Sequence, residues 1–257
     1  MDIVTIGILA SLGAGLMTGL GAVPVLFGRS ISRRTNDAFL GFAAGVMLSA
    51  SYFSLILPGL AAGQALYGNA LAAALIAAAG LALGAMAVAA LNEALPHEHF
   101  VQGAEGGDPG ALGKIWLFVI AITIHNFPEG MAVGVGFGGG DLANGMSLAT
   151  GIGLQNAPEG LAVALALRGQ GYGKARSFLI ALATGLIEPV GGAIGVVAVH
   201  ASALALPWGL TFAAGAMLYI ISHEIIPETH RHGHQNAATA GLTLGLIVMM
   251  VLDVTLG

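Results

Sequence analysis

Two ten-residue stretches hold most of the side chains able to do chemistry: Ile-His-Asn-Phe-Pro-Glu-Gly-Met-Ala-Val at 124–133 and Leu-Gln-Asn-Ala-Pro-Glu-Gly-Leu-Ala-Val at 154–163. They agree at Asn126/Asn156, Pro128/Pro158, Glu129/Glu159, Gly130/Gly160, Ala132/Ala162 and Val133/Val163. On a helix, His125 and Glu129 stand at i and i+4 with Asn126 alongside, and Gln155, Asn156 and Glu159 repeat that face. A third acid, Glu188, lies in Leu-Ile-Glu-Pro-Val-Gly-Gly, again followed by proline and glycines. The set is rich in oxygen, has one imidazole nitrogen and no thiolate. It suits Zn²⁺, Cd²⁺, Mn²⁺ or Fe²⁺ and not Cu⁺. Three ionised glutamates in a medium of low dielectric repel one another, and a divalent cation neutralises them. Its entry should displace protons, so affinity should fall as pH drops.

The elements that must position these groups are membrane helices. The chain has 257 residues, 56% hydrophobic and 8% charged, with a mean hydropathy of +0.88, whereas a soluble domain carries roughly 25% charged residues. Eight apolar runs long enough to span a hydrocarbon core occur at about 3–27, 38–60, 66–91, 115–138, 144–167, 177–200, 202–226 and 237–256. The expected fold is an all-α membrane protein of eight transmembrane helices, a single domain over 1–257. The first run, opened by Asp2 without a basic flank, reads as a retained span and not a leader. Consecutive spans run in opposite directions, so the motifs in spans four and five are related by a pseudo-two-fold axis in the membrane plane. Transporters place substrate at such repeat interfaces. Pro128 and Pro158 free the carbonyls of Ile124 and Leu154 and should bend each helix, and Gly130 and Gly160 permit close approach.

Every basic residue lies in an odd-numbered loop: Arg29, Arg33 and Arg34; Lys114; Arg168, Lys174 and Arg176; Arg231. The positive-inside bias then places both termini outside the cytoplasm and the longest loop, about 92–114, within it as a flexible segment. Glycines four apart, such as Gly41/Gly45, Gly80/Gly84 and Gly241/Gly245, mark helix contacts. Span three has no polar side chain over 71–91 and is expected to face lipid or a second copy in a homodimer. Cysteine is absent.

His-Asn-Phe-Pro-Glu-Gly in span four, Gln-Asn-Ala-Pro-Glu-Gly in span five, Glu-Pro-Val-Gly-Gly in span six and Ser-His-Glu-Ile-Ile-Pro-Glu in span seven resemble the ZIP (zinc- and iron-regulated transporter-like) metal permeases, bacterial members most closely. The likeness covers essentially the whole chain. It implies a bundle with inverted repeats that imports divalent metal, zinc foremost, across the bacterial inner membrane by an elevator-type alternation. It also implies a binuclear site: His125, Glu129, Gln155 and Glu159 for one ion, and Asn126, Glu129, Asn156, Glu159 and Glu188 for the other. Met47 matches a span-two methionine bordering that site, with packing as the alternative reading. Some bacterial relatives place Asp at position 156. With Asn156, two divalent ions against three carboxylates leave one positive charge in excess, so the second ion should bind more weakly.

Other polar residues suggest an exit. His223 and Glu224 lie inside the cytoplasmic end of span seven, with Glu228 one turn on. His230, His232 and His234, with Glu93, His97, Glu98 and His99, would receive metal or form a solvated loop. Asp37 is read as an N-cap of span two and His200 as interfacial. An exporter or a metal-sensing receptor is the alternative. An intramembrane metalloenzyme is disfavoured, because neither His223-Glu224 nor His97-Glu98 continues to His-Glu-x-x-His and no catalytic cofactor motif is present.

Overall fold

A computed structural model describes residues 1–28, 31–94, 97–99, 103–105, 114–231 and 233–256. Arg29, His232 and most of the loop at 95–113 lie outside them.

Among the described residues, eight long helices run back and forth: α1 Ile3–Leu26, α2 Arg33–Tyr67, α3 Ala70–Ala94, α4 Lys114–Gly138, α5 Leu142–Gly169, α6 Lys174–Ala201, α7 Ala205–His230 and α8 Gln235–Leu256. Six are apolar enough by length and composition to cross a membrane. The other two, α4 and α5, are 25 and 28 residues long and carry the polar motifs. At about 1.5 Å per residue both exceed a hydrocarbon core of about 30 Å.

Polar caps set the helix ends. Asp2 accepts the Thr5 N–H at α1, Asp141 accepts the Asn144 N–H at α5, and Asn69 takes the N–H groups of Leu71 and Ala72 at α3. The second helix begins at Arg33 and not near 38, because Ser32 caps it by accepting the Thr35 N–H. This corrects the reading of Asp37. It lies one turn inside the helix, is buried, and meets the His234 imidazole at 2.8 Å. Among the described loop residues, His97–His99 pairs antiparallel with Gly103–Glu105, so part of the segment expected to be flexible has a short ladder.

Three helices are irregular where proline intervenes. In α6 the α-helix stops at Gly185 and restarts at Glu188, with Pro189 in its first turn. In α2 and α7, π-helical turns at Ser51–Ile56 and Ile221–Ile225 end two residues before Pro58 and Pro227. A π turn absorbs one extra residue.

The helices form two groups. One comprises α1, α4, α5 and α6, which pack most extensively on one another; the other comprises α2 with α8 and α3 with α7. Inside each group glycines let backbones touch. A Cβ at Gly130 or Gly134 on α4 would strike the carbonyls of Glu188 or Gly192 on α6, and one at Gly41 or Gly45 on α2 would strike those of Ala238 or Leu242 on α8. The outer face of α3 exposes Leu71, Leu75, Leu83 and Met86.

Candidate metal centre

The polar motifs meet inside the first group. His125, Asn126 and Glu129 on α4, Gln155, Asn156 and Glu159 on α5, and Glu188 on α6 are all buried. The Gly130 contact seats α4 against the first turn of the second half of α6, bringing Glu129 and Glu188 to one place. Ser11 on α1 fixes that junction, donating to the Glu188 carbonyl at 2.8 Å. Glu188 itself begins a half-helix, where the positive end of the peptide dipoles favours a carboxylate. Asn156 ties α5 to both neighbours, its Nδ2 donating to the Ala14 carbonyl at 2.9 Å and to Glu188 Oε1 at 2.7 Å. Gln155 Nε2 donates to Glu129 Oε1 at 2.6 Å. Glu129, Glu159 and Glu188 lie within electrostatic reach of one another.

What this cluster lacks is informative. Both polar atoms of the Asn126 side chain and both carboxylate oxygens of Glu159 are buried without a hydrogen-bond partner. So are Glu129 Oε2, Gln155 Oε1, Asn156 Oδ1 and Glu188 Oε2. A buried polar atom left unsatisfied costs about 1–3 kcal/mol, and uncompensated carboxylates cost more. All but one of these atoms are oxygens, acceptors with no donor. A cation satisfies such a set; a further hydrogen-bond donor satisfies one atom at a time.

The ligand sets anticipated from sequence fare differently. All five residues of the second set, Asn126, Glu129, Asn156, Glu159 and Glu188, present an unpaired oxygen. In the first set, Gln155, Glu129 and Glu159 do so, but His125 Nε2 is paired with Glu224 of α7. Among the described residues no three His, Asp or Glu side chains stand together in a chelating arrangement. Gln155 and Asn156 instead present N–H to the carboxylates of Glu129 and Glu188. Rotating an amide by half a turn replaces the donor with its carbonyl oxygen.

Glu224 links the site to one end of the molecule. Besides His125 it accepts from Asn92 Nδ2 of α3 at 3.2 Å, and it is buried. The neighbouring His223 is half-buried and stacks on Tyr219, ring centroids 4.9 Å apart. Farther along, Glu228 pairs with Arg231 at 3.3 Å, His230 Nδ1 lies against the Ile226 carbonyl, and His234 is held by Asp37. Met47 is fully buried in the apolar core with Met217.

Two structural features escaped the sequence reading. Asp253, near the far end of α8, accepts hydrogen bonds from Ser54 of α2 and from Ser147 of α5, the latter at 3.2 Å. A lone acid late in an apolar run was the available signal. The second is a repeat, Phe-Ala-Ala-Gly-Val-Met-Leu at 42–48 and Phe-Ala-Ala-Gly-Ala-Met-Leu at 212–218, on the two helices that carry π turns. His125 with Glu224 and Ser147 with Asp253 are thus polar ties between the two helix groups.

Comparison with known proteins agrees with this architecture. The family model described as ZIP Zinc transporter matches residues 107–253. The zinc transporter ZIPB of Bordetella bronchiseptica is 50% identical over 240 residues, covering 93% of this chain and 78% of that protein. The zinc transporter GufA of Myxococcus xanthus is 47% identical over 251 residues, covering 98% and 99%. Human zinc transporter ZIP11 is 34% identical over 322 aligned positions, covering 94% of each.

Proposed function

The chain belongs to the ZIP family of zinc transporters, and we propose that this multi-pass membrane protein imports zinc through the polar cluster where α4, α5 and α6 meet. The observation that carries the reading is the set of unpaired, buried oxygens on Asn126, Glu129, Gln155, Asn156, Glu159 and Glu188. Cadmium, iron(II) and manganese(II) are further substrates, since the same oxygen and imidazole donors accept several divalent ions. Two ions share Glu129 and Glu159 as bridges. The ion that relies on Asn126, Asn156 and Glu188 is the weaker bound, because Asn156 supplies a dipole where an acid would supply a charge.

The two helix groups supply the movement. A carrier of α1, α4, α5 and α6 shifts as one body against a scaffold of α2, α3, α7 and α8, exposing the cluster to each side in turn. As it moves, His125 exchanges its Glu224 partner for metal, and Glu224 with His223 leads the ion towards the histidine-bearing end. By the positive-inside bias that end is cytoplasmic, with both termini on the other side of a bacterial inner membrane. Residues 1–257 act as one transport domain, and the exposed leucine face of α3 joins two copies in a homodimer.

Radiolabelled zinc uptake into proteoliposomes, metal supplied outside, tests the proposal. Uptake by the wild-type chain and its loss in Glu129→Ala are expected. Zinc held by the protein without net entry would refute import, and undiminished entry in Glu129→Ala would remove the cluster from the pathway.

A further inference from the structure

Between carrier and scaffold lies a lateral apolar groove of about 720 Å³, within the range of about 300–1,000 Å³ usual for ligand sites. Gly21 of α1 and Pro158 and Leu161 of α5 form one wall; Ala38 of α2 and Ala237 and Leu244 of α8 form the other. Among the described residues, no charged side chain lines it. It opens towards the lipid phase, since Leu244 is more than half exposed. Its back wall is the metal-site helix itself, with Pro158 next to Glu159 in the chain.

The four helices that build the groove reach the same end of the molecule, and basic groups follow the lining residues there at helical spacing. On α2, Arg34 is four residues from Ala38, one turn or about 6 Å away on the same face. On α5, Arg168 is seven residues from Leu161, about 10 Å further along that face. On α1, Gly28 is seven residues from Gly21, and Lys174 brings its ammonium group over Gly28. Arg34, Arg168 and Lys174 are all exposed. One guanidinium N–H of Arg168 is given to the Tyr172 carbonyl, leaving others of its five donors for a ligand. On α8, Ala237 is preceded by His234, which holds the buried Asp37, so the acid nearest this rim is engaged. A slot without polar lining at membrane depth, capped at one end by three cations, has the complement of an amphiphile with an apolar tail and an anionic head.

We propose that the groove binds one anionic phospholipid, an acyl chain lying between α1/α5 and α2/α8 and the phosphate head resting on Arg34, Arg168 and Lys174. Clusters of Lys and Arg immediately beside membrane helices recognise anionic headgroups in this way. The lipid lies on the seam between the two helix groups, so its presence bears on how they shift relative to one another, whereas its binding requires no metal.

Quenching by brominated lipid tests this directly. Phe39 lines the groove and is 42% exposed, so Phe39→Trp with Trp116→Phe and Trp208→Phe places the chain's one indole there. In vesicles of phosphatidylcholine, brominated phosphatidylglycerol should quench at several-fold lower mole fraction than brominated phosphatidylcholine. Adding Arg34→Gln, Arg168→Gln and Lys174→Gln should make the two lipids equivalent. Filling the groove with Ala240→Leu should weaken both, while zinc still raises the melting temperature of each variant. Equal quenching by the two lipids with the basic rim intact, or a preference that survives its removal, would overturn the proposal. Neither result depends on whether zinc is transported.

Discussion

Two kinds of helix contact coexist in this molecule. Main-chain contacts through glycine fall within the two helix groups: Gly130 on the Glu188 carbonyl, Gly160 on that of Thr18, Gly45 on that of Leu242, alongside side-chain contacts such as Gly19 on Leu182. Across the seam, glycine meets side chains. Gly151 of α5 faces the Met249 thioether of α8, and Gly209 of α7 faces the Val135 methyl groups of α4. Interlocked backbones cannot slide without breaking van der Waals contact along the whole crossing, whereas thioethers and methyl groups change rotamer and repack. The apolar groove and the His125–Glu224 and Ser147–Asp253 ties lie along the second kind of surface. The packing is stiff around the polar cluster and yielding along the seam between the two groups.

Crosslinks test that contrast most sharply, and the chain's lack of cysteine makes them clean. A Cβ at Gly209 would stand 3.1 Å from a Val135 methyl across the seam, and one at Gly7 would stand 3.1 Å from a Val196 methyl inside the carrier. Oxidising the pair Val135→Cys/Gly209→Cys should abolish zinc uptake, with reduction restoring it, while the pair Gly7→Cys/Val196→Cys should leave uptake nearly unchanged. Equal inhibition would remove the distinction between the groups.

Next in size is Glu129→Gln. It keeps the volume and removes a charge, so uptake should fall at least tenfold, about 1.4 kcal/mol or more in transition-state terms. The apo protein should unfold no earlier than wild type, because a buried carboxyl that must take up a proton to avoid repulsion has been replaced by a group that is always neutral. The rise in melting temperature on adding zinc should vanish.

Packing substitutions come third. Gly130→Val drives a branched side chain into the Glu188 backbone and should cost about 3 kcal/mol or more. Gly209→Ala, which only presses on Val135 methyl groups, should cost less than about 1 kcal/mol. Thermal unfolding in detergent compares the two.

The smallest effect belongs to a residue outside both kinds of contact. The Thr5 N–H holds the Asp2 carboxyl below its ordinary value of 3.8. A lowered folded-state value means that the cap's contribution is complete above the ordinary value and lost as pH falls through the folded one. Asp2→Ala should therefore lower the melting temperature slightly at neutral pH and converge with wild type in strong acid.

The sequence made the helices and the cluster legible because both are written locally. Apolar runs gave the eight spans, and the spacing of His125, Asn126 and Glu129 placed them on one face. Glu188 stood out as an acid in an apolar run. The start of α2 was misplaced because Arg33, Arg34 and Asp37 look like a loop by hydropathy, whereas the Ser32 cap and the His234 partner make them helical. Partnerships between distant segments left no local trace: Glu224 with His125 and Asn92, or Asp253 with Ser54 and Ser147. Which glycine meets a carbonyl and which a side chain also needed coordinates. The Phe-Ala-Ala-Gly repeat was present in the sequence and relates α2 to α7 as the Asn-x-Pro-Glu-Gly repeat relates α4 to α5.

The π turns ahead of Pro58 and Pro227 have a consequence for tolerated length changes. Each residue of an α-helix turns the chain by about 100°, so deleting one residue from an ordinary span rotates everything beyond it onto the wrong neighbours. Deleting one from Ser51–Ile56 or Ile221–Ile225 would instead tighten a wide turn into a regular one and re-aim only the segment next to the proline. At these turns the register of the bundle is adjustable, and the side chains re-aimed would be Ser54, which holds Asp253 of α8, and Glu224, which holds His125 across the seam.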